Sequence, residues 1–406
     1  MRILFLYCGT TIQFFNYGIF GLAAGQLSSA FLPGQTDIDK ISNFFFLVIL
    51  SNITRPLASF IFGTIGDKFG RKRAIIFSSI ISGIGAILVA FIPSYNMFGI
   101  FATILLALAR IMFLSGLTGD IDGIRVYISE IVPKSQEYLA NGIISVATQL
   151  GVLAASLCIF YLLKEYEIFS YIIPTWRLCF FFGGLLTLLF SVNMLFLNET
   201  SVFLEYQNNK HHIFPVSFAQ IFHSHSRIII YQIIIFGSLG SFYHFFIICL
   251  PLYIKIISQD QANLQTPVYL LFYAFGGVLF GYLFDYLKFA PYINFFRFLI
   301  LIIIYMIYYD IKTENYNNIS TLVSVICFIQ SGVSVASYVY LKNYINIAIR
   351  YRVFSLSHSL GSVLISAPTN YISTKAAILL GPQFIILPSL IVALGAIYSF
   401  NKLQKL

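Results

Sequence analysis

Hydrophobic and polar positions alternate along this chain on a long scale. Apolar runs of about twenty residues, the length of helix that crosses a bilayer, are separated by short polar connections. The runs predict helices at about 4–30, 42–65, 74–93, 98–126, 141–163, 177–197, 228–252, 266–287, 291–309, 319–341, 353–373 and 376–400, the last two parted only around Thr374 and Lys375. The first run, behind Met1 and Arg2, is interrupted by Gln13 and Asn16 and is too long for the apolar core of a signal sequence, so it is read as a spanning helix. The longest connection, Asn198 to Arg227, carries His211, His212, His223 and His225 and leaves six helices on each side. The pattern predicts an all-α membrane protein of about twelve transmembrane helices. Two six-helix bundles, 1–197 and 228–406, are joined by a linker at 198–227, as internal duplication would produce.

Composition agrees: 59% of residues are hydrophobic and 10% charged, against roughly 25% charged in soluble domains. The net charge of +9 raises nucleic acid as a partner, but its distribution argues otherwise. If the chain starts inside, the inner segments carry Lys68, Arg71, Lys72, Arg73, Lys134, Lys210, Arg227, Lys288, Arg297, Lys342, Arg350, Arg352, Lys402 and Lys405, among others. The outer ones carry Lys40, Lys164, Arg177, Lys255, Lys312 and Lys375. This is the bias that orients spanning helices, and it places both termini on the cytoplasmic side. The five cysteines all fall in apolar runs without metal-like spacing, so neither disulfides nor a metal are expected.

Charges within spanning helices cost roughly 2.5–3.5 kcal/mol each on insertion scales and are functional candidates. The fourth helix holds Arg110, Asp120, Asp122, Arg125 and Glu130. Arg110 lies near mid-membrane and Asp120 about 15 Å further along. Arg110 either binds a substrate carboxylate, pairing with Asp120 when the site is empty, or is a structural arginine bonded to helix carbonyls. Asp122 and Arg125, three residues apart, are expected to pair. In the first helix Gln13, Asn16, Tyr17 and Phe20 share one face, read as lining a transport cavity or as interhelical hydrogen bonding. In the second half the candidates are Tyr243, His244, Gln330 and His358. A histidine can relay a proton near neutral pH or simply pack. Tyr243 and Trp176 could contribute to an aromatic box for a quaternary ammonium, with Trp176 alternatively an outer-interface anchor. No phosphate-binding loop, HExxH or nucleophile elbow occurs, so neither an enzyme nor a cofactor is expected.

The loop Gly63-Thr-Ile-Gly66-Asp67-Lys68-Phe69-Gly70-Arg71-Lys72 resembles the G-x-x-x-D-x-x-G-R-K loop of the major facilitator superfamily. A fainter copy, Gly277 to Asp285, stands at the end of the eighth helix without the Gly-Arg-Lys. Arg55-Pro56, Arg110 with Asp120, Tyr127-Ile-Ser-Glu130-Ile-Val-Pro133, Trp176-Arg177 and Glu199-Thr200 follow in an order that resembles the metabolite:proton symporter family. That resemblance covers nearly all of residues 9–205; beyond it only Leu250-Pro251, Asp285, Arg350 and Arg352 match.

The resemblance implies a major facilitator fold and secondary transport by alternating access. The solute would be a small zwitterion or carboxylate, such as proline, betaine or an organic acid, moved with protons. It also implies a conformational latch of Gly63, Gly66, Asp67, Gly70, Arg71, Lys72, Arg125 and Glu130, with Glu130 pairing with Arg71. This chain departs from the family where coupling is decided. The first-helix acids of E-[WY]-[YF]-D are Gln13 and Asn16 here, amides that cannot titrate. Asp120 stands for the family's glutamate and Phe113 for its glutamine. Coupling would then fall to Asp120 or a histidine; the alternatives are an uncoupled facilitator or exchanger, and a transport-inactive sensor that keeps the fold. The expected partners are a small-molecule solute, protons and the lipid bilayer of a bacterial inner membrane, with the protein a monomer.

Overall fold

The computed structural model describes residues 2–34, 37–161, 165–168, 171–208, 218–258, 266–288 and 292–405. Among them eleven helices are long and apolar enough to cross a bilayer. A further helix, Arg350–Gly361 continued through Ser362–Ser366 into Ala367–Leu380, lies between Ile319–Asn343 and Leu387–Leu403. The architecture is thus the predicted all-α membrane fold of about twelve spanning helices. One small departure is an antiparallel hairpin, Glu165–Ile168 against Tyr171–Pro174, with Glu165 opposite Pro174. Its Tyr- and Ile-rich strands suit a pleated ribbon in what the sequence offered as a plain connection.

The chain divides into two compact units: Met1–Tyr127 with Ala147–Asn208, and Ile128–Val146 with Asn209–Leu406. In the first unit the helix breaks fall where backbone chemistry calls for them. Pro56 stands second in Arg55–Phe69, where a missing N–H is no loss. Gly70, at φ 108, turns the chain from that helix into Arg71–Phe91. The fourth spanning helix, Ile100–Ile131, has 32 residues and so runs about 48 Å, well beyond a hydrocarbon core of about 30 Å. It meets Arg71–Phe91 at close range: a side chain on Gly116 would run into the backbone of Ser78 and Ser82. Small residues permit such approach where lipid supplies no hydrophobic drive between helices.

The core of this unit is aromatic, with Phe20, Phe31, Phe44, Phe113, Trp176 and Phe180 in one buried cluster. Trp176 packs edge-on against Phe31 at 5.5 Å between ring centroids. It is a buried core residue, not the interface anchor its position near a helix end suggested.

In the second unit two π turns, Phe245–Cys249 and Ser362–Ser366, each lie just ahead of a proline, Pro251 and Pro368. Proline has no N–H for the carbonyl four residues back and its ring clashes there; a π turn widens the helix to absorb this. The carbonyl freed by Pro251, that of Ile247, accepts from Thr266 Oγ1 at 3.4 Å.

Two predicted boundaries move. The seventh helix begins at Phe218, ten residues before the expected start, with a non-helical kink at His225. The break expected at Thr374-Lys375 falls instead at Gly381, with φ 118, followed by Pro382. One threonine and one lysine do not interrupt a helix: Thr374 Oγ1 donates to the Tyr371 carbonyl and Lys375 lies over the Tyr371 ring. A Gly-Pro pair does interrupt it. Of the histidine-rich connection, His211 and His212 lie outside the described residues, while His223 is exposed.

Candidate functional site

Gln13 and Asn16 both lie on the buried face of Arg2–Leu22. Ser82 Oγ donates to Gln13 Oε1 at 2.6 Å. Ser79 Oγ donates to Asp120 Oδ1 at 2.5 Å, and Asn16 Nδ2 donates to Thr187 Oγ1 at 3.2 Å. Helices one, three, four and six thus contribute to one polar patch inside the first unit. The Gln13 side chain lies beside the Asp120 carboxylate, but outside hydrogen-bond geometry, because Gln13 Nε2 and Asp120 Oδ2 are both buried without a partner. Asn16 Oδ1 is a third such atom. Each unsatisfied buried group costs about 1–3 kcal/mol, so three together mark a place that a ligand, water or proton would complete.

Arg110, 4% exposed, does not pair with Asp120. Ten residues along one helix put them about 15 Å apart. Its guanidinium carbon sits 3.8 Å from the Phe20 ring centroid and 5.4 Å from those of Tyr17 and Phe113. Nε and Nη1 are buried without a hydrogen-bond partner, so no helix carbonyl satisfies them. A desolvated cation–π contact is worth about 2 kcal/mol, which holds the charge without neutralising it. Phe113, where the resemblance led one to expect glutamine, supplies one of the rings. Asp122 and Arg125, further along the helix, are both buried.

The Gly63–Lys72 loop is tied within the first unit. Arg71, fully buried, pairs with Asp67 at 3.3 Å, donates to the Gly66 carbonyl at 2.9 Å and lies over the Phe203 ring. Glu199 accepts from the backbone N–H groups of Lys72 and Thr200. Burial pushes the Glu199 carboxyl up from its ordinary range, while those N–H groups and the Arg71 guanidinium draw it back. Lys72 Nζ donates to the Leu195 carbonyl at 2.6 Å. Gly63 and Gly66 are buried in Arg55–Phe69. In the sequence Glu199 is marked only as part of a matching motif; the structure places its carboxylate where a Cβ on Gly70 would stand.

In the second unit, Glu130 Oε1 accepts from Arg350 Nη1 at 3.1 Å. Lys342 Nζ bonds Glu137 Oε1, both side chains buried. The Asp285 carboxylate accepts from the backbone N–H groups of Tyr138 and Leu139 at 3.1 and 2.8 Å. These are donors of the first turn of Glu137–Tyr161, and an acid there offsets the unpaired N–H groups and the helix dipole. Asp285 therefore has a structural task although the Gly-Arg-Lys after it is missing. The internal near-repeat Gly277 to Asp285 was the signal for it.

His358 Nε2 is 3.4 Å from Tyr338 OH, and its ring packs against Phe236 and Tyr338. Tyr243 stands edge-on to His244 and Tyr273, immediately before the Phe245–Cys249 π turn. Gln330 lines a narrow cavity together with Arg297, Ser238 and Phe242. The charge distribution along the sequence makes Arg297 an inner-end topological charge, but its side chain is buried.

The family model of the Major Facilitator Superfamily matches residues 6–365. The chain belongs to that superfamily. It is 32% identical over 154 residues to a Staphylococcus haemolyticus protein named "Putative proline/betaine transporter", a match covering 37% of this chain and 32% of the relative. It is 29% identical over 203 residues to the Escherichia coli "Inner membrane metabolite transport protein YhjE", covering 48% of this chain and 44% of that one. The match thus spans less than half the length of either relative. In fold this superfamily member is similar along its full length to the proton:xylose symporter XylE, with TM-score 0.73, 13% identity and coverage of 100% and 94%. It is likewise similar to FucP in the outward conformation, with TM-score 0.72, 10% identity and coverage of 99% and 98%. The protein is an integral membrane protein of this superfamily.

Proposed function

We propose that this transporter moves a small zwitterionic or carboxylate solute, a proline- or betaine-like osmolyte or an organic acid, across a bacterial inner membrane by alternating access. Both termini lie on the cytoplasmic side, and the protein works as a monomer of two bundles joined by the 198–227 linker. The observation that carries the reading is Arg110. It is a buried guanidinium with no acidic partner and two unbonded nitrogens, on the helix that also gives Asp120 to a polar patch with three unsatisfied atoms. A substrate carboxylate supplies the missing counter-charge, and Gln13, Asn16 and Tyr17 present groups to its polar remainder. The name of the Staphylococcus relative points to the same solute class, and that of the Escherichia relative to a metabolite.

Coupling is assigned to the proton, held on Asp120. Gln13 and Asn16 are amides and cannot carry it. Asp120 has one oxygen bonded to Ser79 and the other unpartnered, so it can gain and lose a proton without breaking an ion pair. His244 and His358 remain secondary candidates for a relay. Asp67, Arg71, Lys72, Arg125 and Glu130, with the glycines at 63, 66 and 70, act as the latch of one conformational state.

The test is uptake of labelled proline, betaine and organic acids into proteoliposomes holding the purified protein. Accumulation of one of them, lost in Arg110→Gln, supports the reading. Saturable binding without accumulation of any solute would replace it with a sensor role.

A further inference from the structure

A second arginine stands within a span of the first unit. Arg55 opens Arg55–Phe69 and lies nine residues, about 14 Å, into the span Phe46–Phe69. It is half-buried, and its Nε donates to Thr118 Oγ1 at 3.0 Å. Helix packing sets its depth. Gly119 of Ile100–Ile131 lies so close to the neighbouring helix that a Cβ there would run into the Phe62 side chain. The two spans are separated by one other and so run in the same direction. Seven residues back from Phe62 and Gly119 are Arg55 and Met112. Arg55 therefore enters level with Met112, within a turn of Arg110, and the two guanidinium charges act on each other.

Among the described residues no carboxylate lies within ion-pair distance of either guanidinium. Arg2–Leu22 contains no aspartate or glutamate. On Arg55–Phe69 the only acid is Asp67, already paired with Arg71. Asp120, two residues past Thr118, is bonded to Ser79 instead. Arg55 gives Thr118 its Nε–H, so its two terminal nitrogens, the fork that grips a carboxylate, stay uncommitted. Two such cations in a bilayer interior are costly, and they define what can join them. A single carboxylate leaves one of them bare. A zwitterion brings its ammonium against the second arginine, a like-charge contact that rejects it. The cations are also staggered. Arg55 reaches to Thr118, five residues and about 8 Å past Phe113, whose ring lies beside Arg110.

We propose that Arg55 and Arg110 together hold the two carboxylates of one short-chain dicarboxylate, which makes Arg55 the residue that selects a dianion over a zwitterion. Carboxyl carbons about 4–5 Å apart along such a chain, with a salt bridge at each end, span the stagger. This narrows the solute class and rests on the reading of Arg110 as an anion-binding residue. The probes are succinate and glutarate, with butyrate and betaine as compounds of one carboxylate. Affinity is read from the saturable Tm shift of the purified protein at constant ionic strength, and the labelled probes are followed into proteoliposomes. The wild type should bind succinate or glutarate about tenfold or more tighter than butyrate, the difference that one charge-assisted contact makes, and show no shift with betaine. Arg55→Gln should lower dicarboxylate affinity to that of butyrate, while butyrate, held by Arg110, binds as before. Arg55→Lys should recover part of the preference, and Arg110→Gln should weaken dicarboxylate and butyrate alike. Wild-type binding of butyrate or betaine as tight as that of succinate overturns the proposal without any variant. A dicarboxylate preference that persists in Arg55→Gln overturns it too, and either result leaves Arg110 in its role. Tm and uptake indifferent to all four compounds overturn both the proposal and the reading beneath it.

Discussion

The Arg110 guanidinium lies on the face of Phe20, 3.8 Å from the ring centroid. That contact joins the fourth helix to the first through a charge and a ring. It holds the cation in a desolvated place while leaving two of its nitrogens without partners. Rings keep the guanidinium in position and leave it able to take an anion.

Arg110→Gln removes the charge while keeping a polar side chain. Uptake is expected to fall to background while membrane insertion, followed by detergent-extracted monodisperse protein, stays unchanged. Arg110→Lys keeps the charge but not the planar stacking surface, and should retain some uptake with a raised KM. Wild-type uptake by Arg110→Gln would remove Arg110 from the site.

Gly70 has φ 108, and a Cβ there would run into the Glu199 carboxylate. Gly70→Ala is expected to destabilise the first unit by about 1–3 kcal/mol, seen as a lowered Tm. Adding Glu199→Ala should recover the steric part and leave the backbone strain. A neutral Gly70→Ala would mean that the turn relaxes without cost.

Glu137 and Lys342 form a buried pair in the second unit. Removing one partner strands the other charge, at about 3–5 kcal/mol. Glu137→Gln should therefore lower the Tm strongly, and the double change Glu137→Gln with Lys342→Met should recover much of the loss. Additive losses in the double variant would show that the pair is not the source of the effect.

The helices were legible because lipid demands apolar length and little else. The same demand hid the end of the eleventh helix, where Thr374 and Lys375 looked like a connection and Gly381-Pro382 supplied one. Gln13 and Asn16 could be placed on one face from their spacing, and Asp120 singled out as a charge in a span. That Gln13 and Asp120 lie side by side depends on how helices one and four pack, which no local pattern states. The ring contacts of Arg110 come from Phe20, Tyr17 and Phe113, three among many aromatics, and nothing in the sequence separates these from lipid-facing bulk. Arg297 sits where positive-inside charges sit, so its burial was masked by a rule that explains most of its neighbours.

The most direct test of the account is the response of Asp120→Asn to an imposed pH gradient in proteoliposomes. Wild-type uptake should rise with an inward proton gradient. Asp120→Asn should exchange solute in both directions yet give the same rate with and without the gradient. A proton-driven rise that survives in Asp120→Asn, or a wild-type protein indifferent to the gradient, would contradict the assignment of coupling to this residue.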